Sequence, residues 1–453
     1  MASLGFKGKK VFVYGLGKSG CAITAALYAD GAEVYVYDNR PLDDLMQAGG
    51  MKNLMNKPTI FFADDGDVDF SDFDGFFKSP GIDMQDDLVL KARRAGHDIL
   101  GDVDLLYKRE PHAQFIGITG TNGKSTTTSL IGHVMEKAGL DVAVGGNLGT
   151  AMLNLPEGKK FYVLELSSYQ LENMYDMKID FAVLLNLTPD HLKRHGDMTG
   201  YLEAKTRIFS HEKGVHVLGV DNIELEQFSS DGNFQTVSVD GKEAVVQVDE
   251  KGVLLDAGKP VLDLTDFIHL PGKHNWQNLA CAYVVLKSLM SLSTLKKAIQ
   301  SYKNLPHRME KIAEFQNVQF YNDSKATNPE SAIRALESFE HVFWICGGQP
   351  KDEGMKPCTE HLSHVEYAFV IGADTKPILK DLEGHVQALN CESMEEAVYA
   401  AWKKFKSSGL DKATILLSPA CASWDQYKSF EHRGDVFVSL CHELVSRMEV
   451  NVK

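Results

Sequence analysis

Short, nearly continuous apolar runs separated by longer amphipathic stretches recur along the whole chain. Lys10-Val-Phe-Val-Tyr14, Glu33-Val-Tyr-Val-Tyr37, Gln114-Phe-Ile-Gly-Ile118, Phe161-Tyr-Val-Leu164, Phe181–Leu185, Val318–Tyr321, Val342–Cys346, Ala368–Ile371 and Thr414–Leu417 read as strands. Strands this apolar on both sides belong in parallel sheets covered by helices, and the intervening stretches have helical periodicity. The pattern predicts an α/β protein. Its 453 residues exceed one ordinary core. Three blocks are predicted, over residues 1–107, 108–304 and 305–453. Lys108-Arg-Glu-Pro-His112 reads as the first linker, and Asn304-Leu-Pro-His-Arg308 as the second hinge. Within the middle block, the polar segment from Asp221 to Pro260 reads as a small β excursion. Ligands of open α/β sheets collect beyond the carboxyl ends of strands, so residues just after each run carry the functional expectation.

Composition narrows the setting. The chain is 44% apolar and 24% charged, and no apolar run reaches the ~18 residues that span a bilayer. A strand begins too early for a signal peptide. Seven scattered cysteines, an odd number, suggest a reducing compartment. A cytoplasmic protein without membrane insertion is expected. The net charge of −15 argues against nucleic acid as the main partner. It also requires local Lys, Arg or Mg²⁺ wherever an anionic substrate binds.

Candidate chemistry concentrates at strand ends. Thr119-Gly-Thr-Asn-Gly-Lys-Ser-Thr126 joins a strand to a helix-like segment, an order that aims backbone N–H groups at a nucleotide's phosphates. Gly120, Thr121, Asn122 and Gly123 would form the cradle. Lys124 would supply charge, and Ser125 or Thr126 a hydroxyl for Mg²⁺. The strict P-loop pattern fails because its first glycine position falls on Ile118. In the first block, Gly15-Leu16-Gly17-Lys18-Ser19-Gly20 fits G-x-G-x-x-G, with Asp38 closing the next strand. Asp38-Asn39-Arg40 would hold a ribose or phosphate, or form a solvated turn; Ser79-Pro80-Gly81 would line the same crevice.

Glu165 ends a middle-block strand where phosphate-loop enzymes place a carboxylate for Mg²⁺. In Asn186-Leu-Thr-Pro-Asp-His-Leu-Lys-Arg-His195, Pro189 and the missing Glu argue against a zinc-protease helix. His191 is the candidate near Mg²⁺ or substrate, and His195 is expected to face solvent. Lys205 lies on an apolar helical stripe with Tyr201, Leu202, Ile208 and Phe209. Either its stem snorkels, or an inward ammonium needs a partner or a modification. Asn275 and Asn278 share one face of a later helix and would either bond an adenine or cap the helix, capping being the default for Asn275. In the third block, Tyr321-Asn-Asp-Ser-Lys-Ala-Thr-Asn-Pro329, Gly347-Gly-Gln-Pro-Lys351 and Ser418-Pro-Ala-Cys-Ala-Ser-Trp424 all follow strands, and three polar loops together predict a site.

These motifs resemble the Mur ligases, ATP-dependent amide-forming enzymes of peptidoglycan synthesis. The resemblance rests on Thr119–Thr126, Glu165-Leu-Ser-Ser168, Asp190-His191, Lys205, Asn275 with Asn278, His307-Arg308 and Asn322-Asp-Ser-Lys-Ala-Thr327. Glu165-Leu-Ser-Ser-Tyr-Gln-Leu171 and Leu417–Phe430 look like the D-glutamate-adding branch. The resemblance implies a Rossmann-like N-terminal domain, a central P-loop-type ATPase-like parallel sheet and a Rossmann-like C-terminal domain. It further implies a monomer that uses ATP and two Mg²⁺ to join D-glutamate to UDP-N-acetylmuramoyl-L-alanine through an acyl phosphate. Carried over by motif, Lys124 holds the ATP phosphates, and Ser125 and Glu165 bind one Mg²⁺. His191 and a carbamylated Lys205 serve the second. Asn275, Asn278, Arg308 and Asp323 bind ATP. Lys325, Thr327, Lys351, Ser423 and Phe430 hold D-glutamate. Gly15–Ser19, Asn39, Arg40, Ser79, Gly81 and Asn147 hold the UDP substrate. Departures from the family pattern fall at Lys18-Ser19, Asn39 and Gln349-Pro350.

The alternatives are another Mur ligase, a folylpolyglutamate synthase, an NAD-dependent oxidoreductase built on Gly15–Gly20 and Asp38, and a non-catalytic nucleotide switch. The oxidoreductase leaves Lys124, Glu165 and the third block unexplained, and the switch leaves the three polar loops without a role.

Overall fold

A computed structural model describes residues 3–41, 44, 45, 54, 57, 60–62, 68–147, 149–267, 269–350 and 354–452. Three sheets carry the strands. The first contains β1 (Lys10–Tyr14), β2 (Glu33–Tyr37), β3 (Ile60–Phe62), β4 (Gly75–Lys78) and β5 (Ile99–Leu100), in the order β3-β2-β1-β4-β5 and parallel throughout. The second contains β6 (Gln114–Thr119), β7 (Val142–Gly146), β8 (Phe161–Glu165), β9 (Phe181–Leu184), β10 (Val215–Gly219), β11 (Gln235–Ser238), β12 (Val246–Val248), β13 (Val253–Asp256) and β14 (Lys259–Asp263). Its order is β14-β13-β12-β11-β10-β9-β6-β8-β7. The third contains β15 (Glu310–Phe315), β16 (Val318–Asn322), β17 (Val342–Gly347), β18 (Val365–Ile371), β19 (Ala388–Glu392) and β20 (Ala413–Leu417), ordered β15-β16-β20-β17-β18-β19. Only β15 runs antiparallel there.

Most strands read from apolar runs are buried central ones, β2 being only alternately buried. Every residue of β8, β17 and β20 is buried, as two covered faces require. Chain order reverses around β1 and again around β6, so each sheet has a crevice at a switch point. After β1 the chain turns at Gly15–Gly17 into the helix Lys18–Ala29, and after β6 at Gly120–Gly123 into the helix Lys124–Lys137. Gly20 permits the first turn's packing, since a Cβ there would lie 1.7 Å from the Gly15 carbonyl oxygen.

By compactness the chain forms two units, one of Met1–Asp249, Leu254–Leu262 and Gln277–Ile299, the other of Glu250–Val253, Asp263–Trp276 and Gln300–Lys453. In the first, one core runs from Val13 and Leu27 through Val103, Leu106 and Met152 to Leu164 and Ile179, so the first sheet and β6–β9 share packing. One segment differs from expectation. Lys108 and Arg109 end the helix Asp102–Arg109 rather than start a linker, because Arg109 is buried and donates to the Leu153 carbonyl. The segment from Asp221 to Pro260 is a β excursion within the middle block, as read: it supplies β11–β14 at one edge of the second sheet, after a helix at Ile223–Phe228. No helix among the described residues is long and apolar enough to cross a membrane. All seven cysteines are free.

Burial without an ion-pair partner gives Lys78 a stability signature. It is fully buried at the end of β4, donates to the Ile82 carbonyl oxygen at 2.8 Å, and is pushed down to about 7 by desolvation and then by the Arg194 charge. Between about 7 and the ordinary 10.5, the unfolded chain therefore binds more protons than the folded one. Stability rises with pH through that window, and the penalty is full below it. Lys78→Met is expected to melt above the parent near pH 6 and to lose that advantage as pH rises toward about 10, checked by thermal unfolding across the window.

Candidate active site

A cavity of about 580 Å³ lies in the first unit, at the carboxyl ends of β1 and β6. One end is lined by Gly15, Gly17, Lys18, Ser19, Asn39, Arg40, Ser79 and Gly81, and the other by Lys124, Asn147, His191, Tyr201 and Lys205. Leu16 is buried in the turn itself, and its N–H donates to Asp38 Oδ2 at 2.6 Å. The other contacts of Asp38 are from Arg40, through Nε at 2.8 Å and Nη2 at 2.7 Å, which with the turn's N–H hold the carboxyl below its usual range against desolvation. Oδ2 serves the turn and Arg40, and Oδ1 serves Arg40, so Asp38 is engaged by the protein itself and not arranged as a free ribose acceptor. Ser79 donates to the Gly15 carbonyl oxygen at 2.7 Å. Ser19 donates to buried Asp102 at 2.8 Å, and Gln170 donates to the same oxygen at 3.2 Å. Lys18 reaches the Gly149 carbonyl.

At the phosphate loop, Gly123 caps the helix Lys124–Lys137 in the left-handed region at φ 83°. A Cβ there would stand 2.2 Å from Asn278 Oδ1, so glycine is required twice over. Asn186 pins the loop by accepting from Thr121 N through its carbonyl oxygen at 3.0 Å and from Asn122 N through Oδ1 at 2.9 Å. Lys124 folds back onto the Gly120 and Thr121 carbonyl oxygens, each at 2.8 Å. Ser125 and Thr126 are buried in the first helical turn.

Lys205 points inward, which decides between the two sequence readings. It is 1% exposed on the helix Met198–Thr206, donates to the Gly120 carbonyl oxygen at 2.9 Å, and sits over the Tyr201 ring at 4.6 Å. Burial first, and then the charge of Lys124, lower its pKa well below the ordinary lysine value. That favours a neutral amine. Ile208 and Phe209 lie beyond the helix end, so the apolar stripe is shorter than its periodicity predicts.

Glu165 is 2% exposed at the end of β8. Oε1 accepts from Asn147 Nδ2 at 2.7 Å, whereas buried Oε2 has no hydrogen-bond partner. His191 is exposed, at φ 55°, with Nδ1 3.1 Å from the Tyr169 hydroxyl. His195, expected to face solvent, is partly buried. It packs between the rings of Tyr169 and Tyr201, and Nε2 lies 3.0 Å from Ser168 Oγ. Desolvation lowers its pKa.

Asn278 touches the phosphate loop, as its contact with Gly123 requires. Asn275 is not an N-cap: it is the third residue of the helix Lys273–Leu286, is buried, and donates to the Pro271 carbonyl oxygen at 2.7 Å.

In the second unit the polar strand-end loops are laced together. Asp323 Oδ1 accepts from Met309 N at 3.1 Å and Oδ2 from the Ser418 hydroxyl at 2.9 Å, and burial pushes its carboxyl up to about 7. The charge of Arg308 opposes that shift. Lys325 Nζ sits 3.9 Å from the centre of the Phe430 ring. Ser423 is buried, and its carbonyl oxygen accepts from Tyr427 N. Thr327 N–H donates to the Lys325 carbonyl oxygen at 2.8 Å. Lys351 lies outside the described residues.

Residues 118–286 match the Mur ligase middle domain and residues 307–421 the Mur ligase glutamate ligase domain. Over 96% of its length the chain is 42% identical to the UDP-N-acetylmuramoylalanine--D-glutamate ligase of Paramagnetospirillum magneticum, covering 96% of that protein. The chain belongs to the Mur ligase family. It is also 40% identical to the protein of the same name from Rhodospirillum rubrum, over 97% of this chain and 95% of that one. In fold it is similar to the UDP-N-acetylmuramate-alanine ligase of Thermotoga maritima (TM-score 0.58, 18% identity, 96% of this chain and 99% of that one). A pseudomurein peptide ligase type C from Methanothermus fervidus gives a TM-score of 0.51 at 19% identity, over 90% of this chain and 96% of that one.

The donors of this Mur ligase fit a divalent cation. An orphaned, buried carboxylate oxygen on Glu165 is costly unless something positive meets it, and the Ser125 hydroxyl is buried in the first helical turn. No group of three or more His, Cys, Asp or Glu that could hold a metal ion gathers among the described residues.

Sequence reading missed four supports of this Mur ligase's loops. Asp102 joins Ser19 to Gln170. Asn186 Nδ2 donates to Gln277 Oε1 at 3.0 Å, and Gln277 Nε2 to Asp221 Oδ2 at 2.8 Å, tying the phosphate loop to the helix of Asn278. Lys78 underpins the turn after β4. Arg433, fully buried, donates to the hydroxyl and carbonyl oxygens of Ser324 and to the carbonyl oxygens of Gly347, Cys421 and Ala422, so one guanidinium joins all three strand-end loops. Desolvation lowers its pKa to about 10. Arg433→Met is expected to cost about 2 kcal/mol by orphaning these acceptors, measured by denaturant unfolding.

Proposed function

We propose that this chain is the ATP-dependent ligase that joins D-glutamate to UDP-N-acetylmuramoyl-L-alanine in peptidoglycan precursor synthesis, acting in the cytoplasm as a monomer. One observation carries the reading: a single cavity runs from a glycine turn suited to a nucleotide diphosphate to Lys124, His191 and Lys205, which three separate segments bring together. The near-full-length likeness to ligases of that name supports the choice of substrates.

The blocks 1–107, 108–304 and 305–453 are assigned to the UDP substrate, to ATP, and to the amino acid with ATP. The Gly15–Ser19 turn, with Asn39, Arg40, Ser79, Gly81 and Asn147, orients the acceptor so that its terminal carboxylate lies near Lys124. The γ-phosphoryl group passes to that carboxylate, giving an acyl phosphate and ADP. The amine of D-glutamate attacks the acyl carbon, loses a proton, and the tetrahedral adduct expels phosphate. Lys124, released from the loop carbonyls, neutralises charge on the transferred group. Asn275, Asn278, Arg308 and Asp323 are assigned to ATP, and Lys325, Thr327, Lys351, Ser423 and Phe430 to D-glutamate.

Ser125 and Glu165 would hold one Mg²⁺, and His191 with carbamylated Lys205 a second; bound there, the ions would neutralise phosphate charge. The neutral amine favoured at Lys205 is the form that adds CO₂ to give a carbamate and a proton. The test follows oxygen. With ¹⁸O in the acceptor carboxylate, released phosphate should carry label if an acyl phosphate forms; unlabelled phosphate would exclude it.

A further inference from the structure

Two cations converge on one backbone carbonyl beside the cavity. Lys78 Nζ donates to the Ile82 carbonyl oxygen at 2.8 Å, and Arg194 Nη2 donates to the same atom at 2.7 Å. Ile82 ends the turn through Ser79, Pro80 and Gly81 that lines the nucleotide end. Arg194 comes from the short helix Leu192–His195, which starts directly after His191. Its side chain is 9% exposed, so its ion pairs to Glu172 (2.9 Å) and Asp83 (3.2 Å) are not loose surface pairs.

The contacts continue toward the chemistry. The Arg194 guanidinium lies 5.1 Å from the centre of the Tyr169 ring, and the Tyr169 hydroxyl is 3.1 Å from His191 Nδ1. His191 has φ 55°, a conformation that costs a non-glycine residue energy and persists only where surroundings hold it. Tyr169 supplies such a hold through both its ring, 5.0 Å between centroids, and its hydroxyl.

We propose that Arg194 and Tyr169 are positioning residues that connect the nucleotide turn at Ser79–Ile82 to the imidazole of His191. Arg194 fixes the turn on one side and the Tyr169 ring on the other, and the Tyr169 hydroxyl sets the direction of His191. Occupation of the uridine diphosphate end thereby favours the orientation of His191 that phosphoryl transfer uses. The inference rests on the assignment of the UDP substrate to this cavity.

The test measures binding of UDP and of UDP-N-acetylmuramoyl-L-alanine by calorimetry without ATP, together with kcat and KM for phosphate release. Tyr169→Phe keeps the ring and removes only the hydroxyl. It is expected to lower kcat about 10-fold, with UDP affinity changed by less than about 2-fold. Arg194→Lys keeps the charge and loses the fork; it is expected to weaken UDP binding about 10-fold and to lower kcat as well. In the double variant kcat should fall little below that of the worse single variant, because both act through His191. Wild-type kcat in Tyr169→Phe, or kcat losses that multiply in the double variant, would overturn the connection. A parent protein that binds neither UDP nor the acceptor would instead overturn the substrate assignment.

Discussion

Lys205→Ala is expected to lower kcat by about 10³-fold while leaving UDP-substrate affinity within a few-fold. The side chain is buried against the Gly120 carbonyl and the Tyr201 ring, with Lys124 lowering its proton affinity further. A charged ammonium so placed would repel the Lys124 ammonium, whereas a carbamate would add a negative oxygen beside His191. Short carboxylates such as formate should restore part of the rate in the variant, because they can occupy the vacated volume. The parent enzyme should also lose activity when CO₂ is removed and regain it with bicarbonate. Melting temperature separates this from unfolding: removing a desolvated amine should not lower it appreciably. A Lys205→Ala enzyme with parental kcat would remove Lys205 from the chemistry.

Glu165→Gln is the second large effect, expected at about 10²-fold or more in kcat, with a raised Mg²⁺ requirement. The substitution preserves shape, and a glutamine oxygen can still accept from Asn147. What it removes is the charge on an oxygen that has no partner in the protein. Because the parent carries that desolvation cost, the variant should be at least as stable. Initial rates titrated with Mg²⁺, alongside a melting curve, distinguish a lost ligand from a lost fold. Unchanged Mg²⁺ dependence would exclude Glu165 from metal binding.

The sequence made the strands beside the site legible because they are buried on both faces. Val11–Tyr14, Phe161–Leu164 and Ile415–Leu417 are apolar throughout, and the glycine turn at Gly15–Gly17, Glu165 and the polar loop from Ser418 follow them directly. Partly exposed strands were harder to read. β15, Glu-Lys-Ile-Ala-Glu-Phe, is an antiparallel edge without a buried run, and β19, Ala-Leu-Asn-Cys-Glu, has a single buried residue. At the site, Lys124, Glu165, His191 and Lys205 were visible from spacing after strands or along a helix. Their supports were not, because most work through long-range contact. Asn186 and Gln277 are 91 residues apart, and Arg433 reaches Ser324 across 109. Polarity in local sequence cannot distinguish such groups from solvated ones. His195 illustrates the limit: its neighbours are charged, yet it is partly buried against the rings of Tyr169 and Tyr201.

The most direct test of the proposed reaction is phosphate release from ATP with UDP-N-acetylmuramoyl-L-alanine, comparing D-glutamate, L-glutamate, L-lysine and meso-diaminopimelate as the amine. Turnover with D-glutamate alone is the expected result. Turnover with a different amino acid, or with none of them, would contradict it.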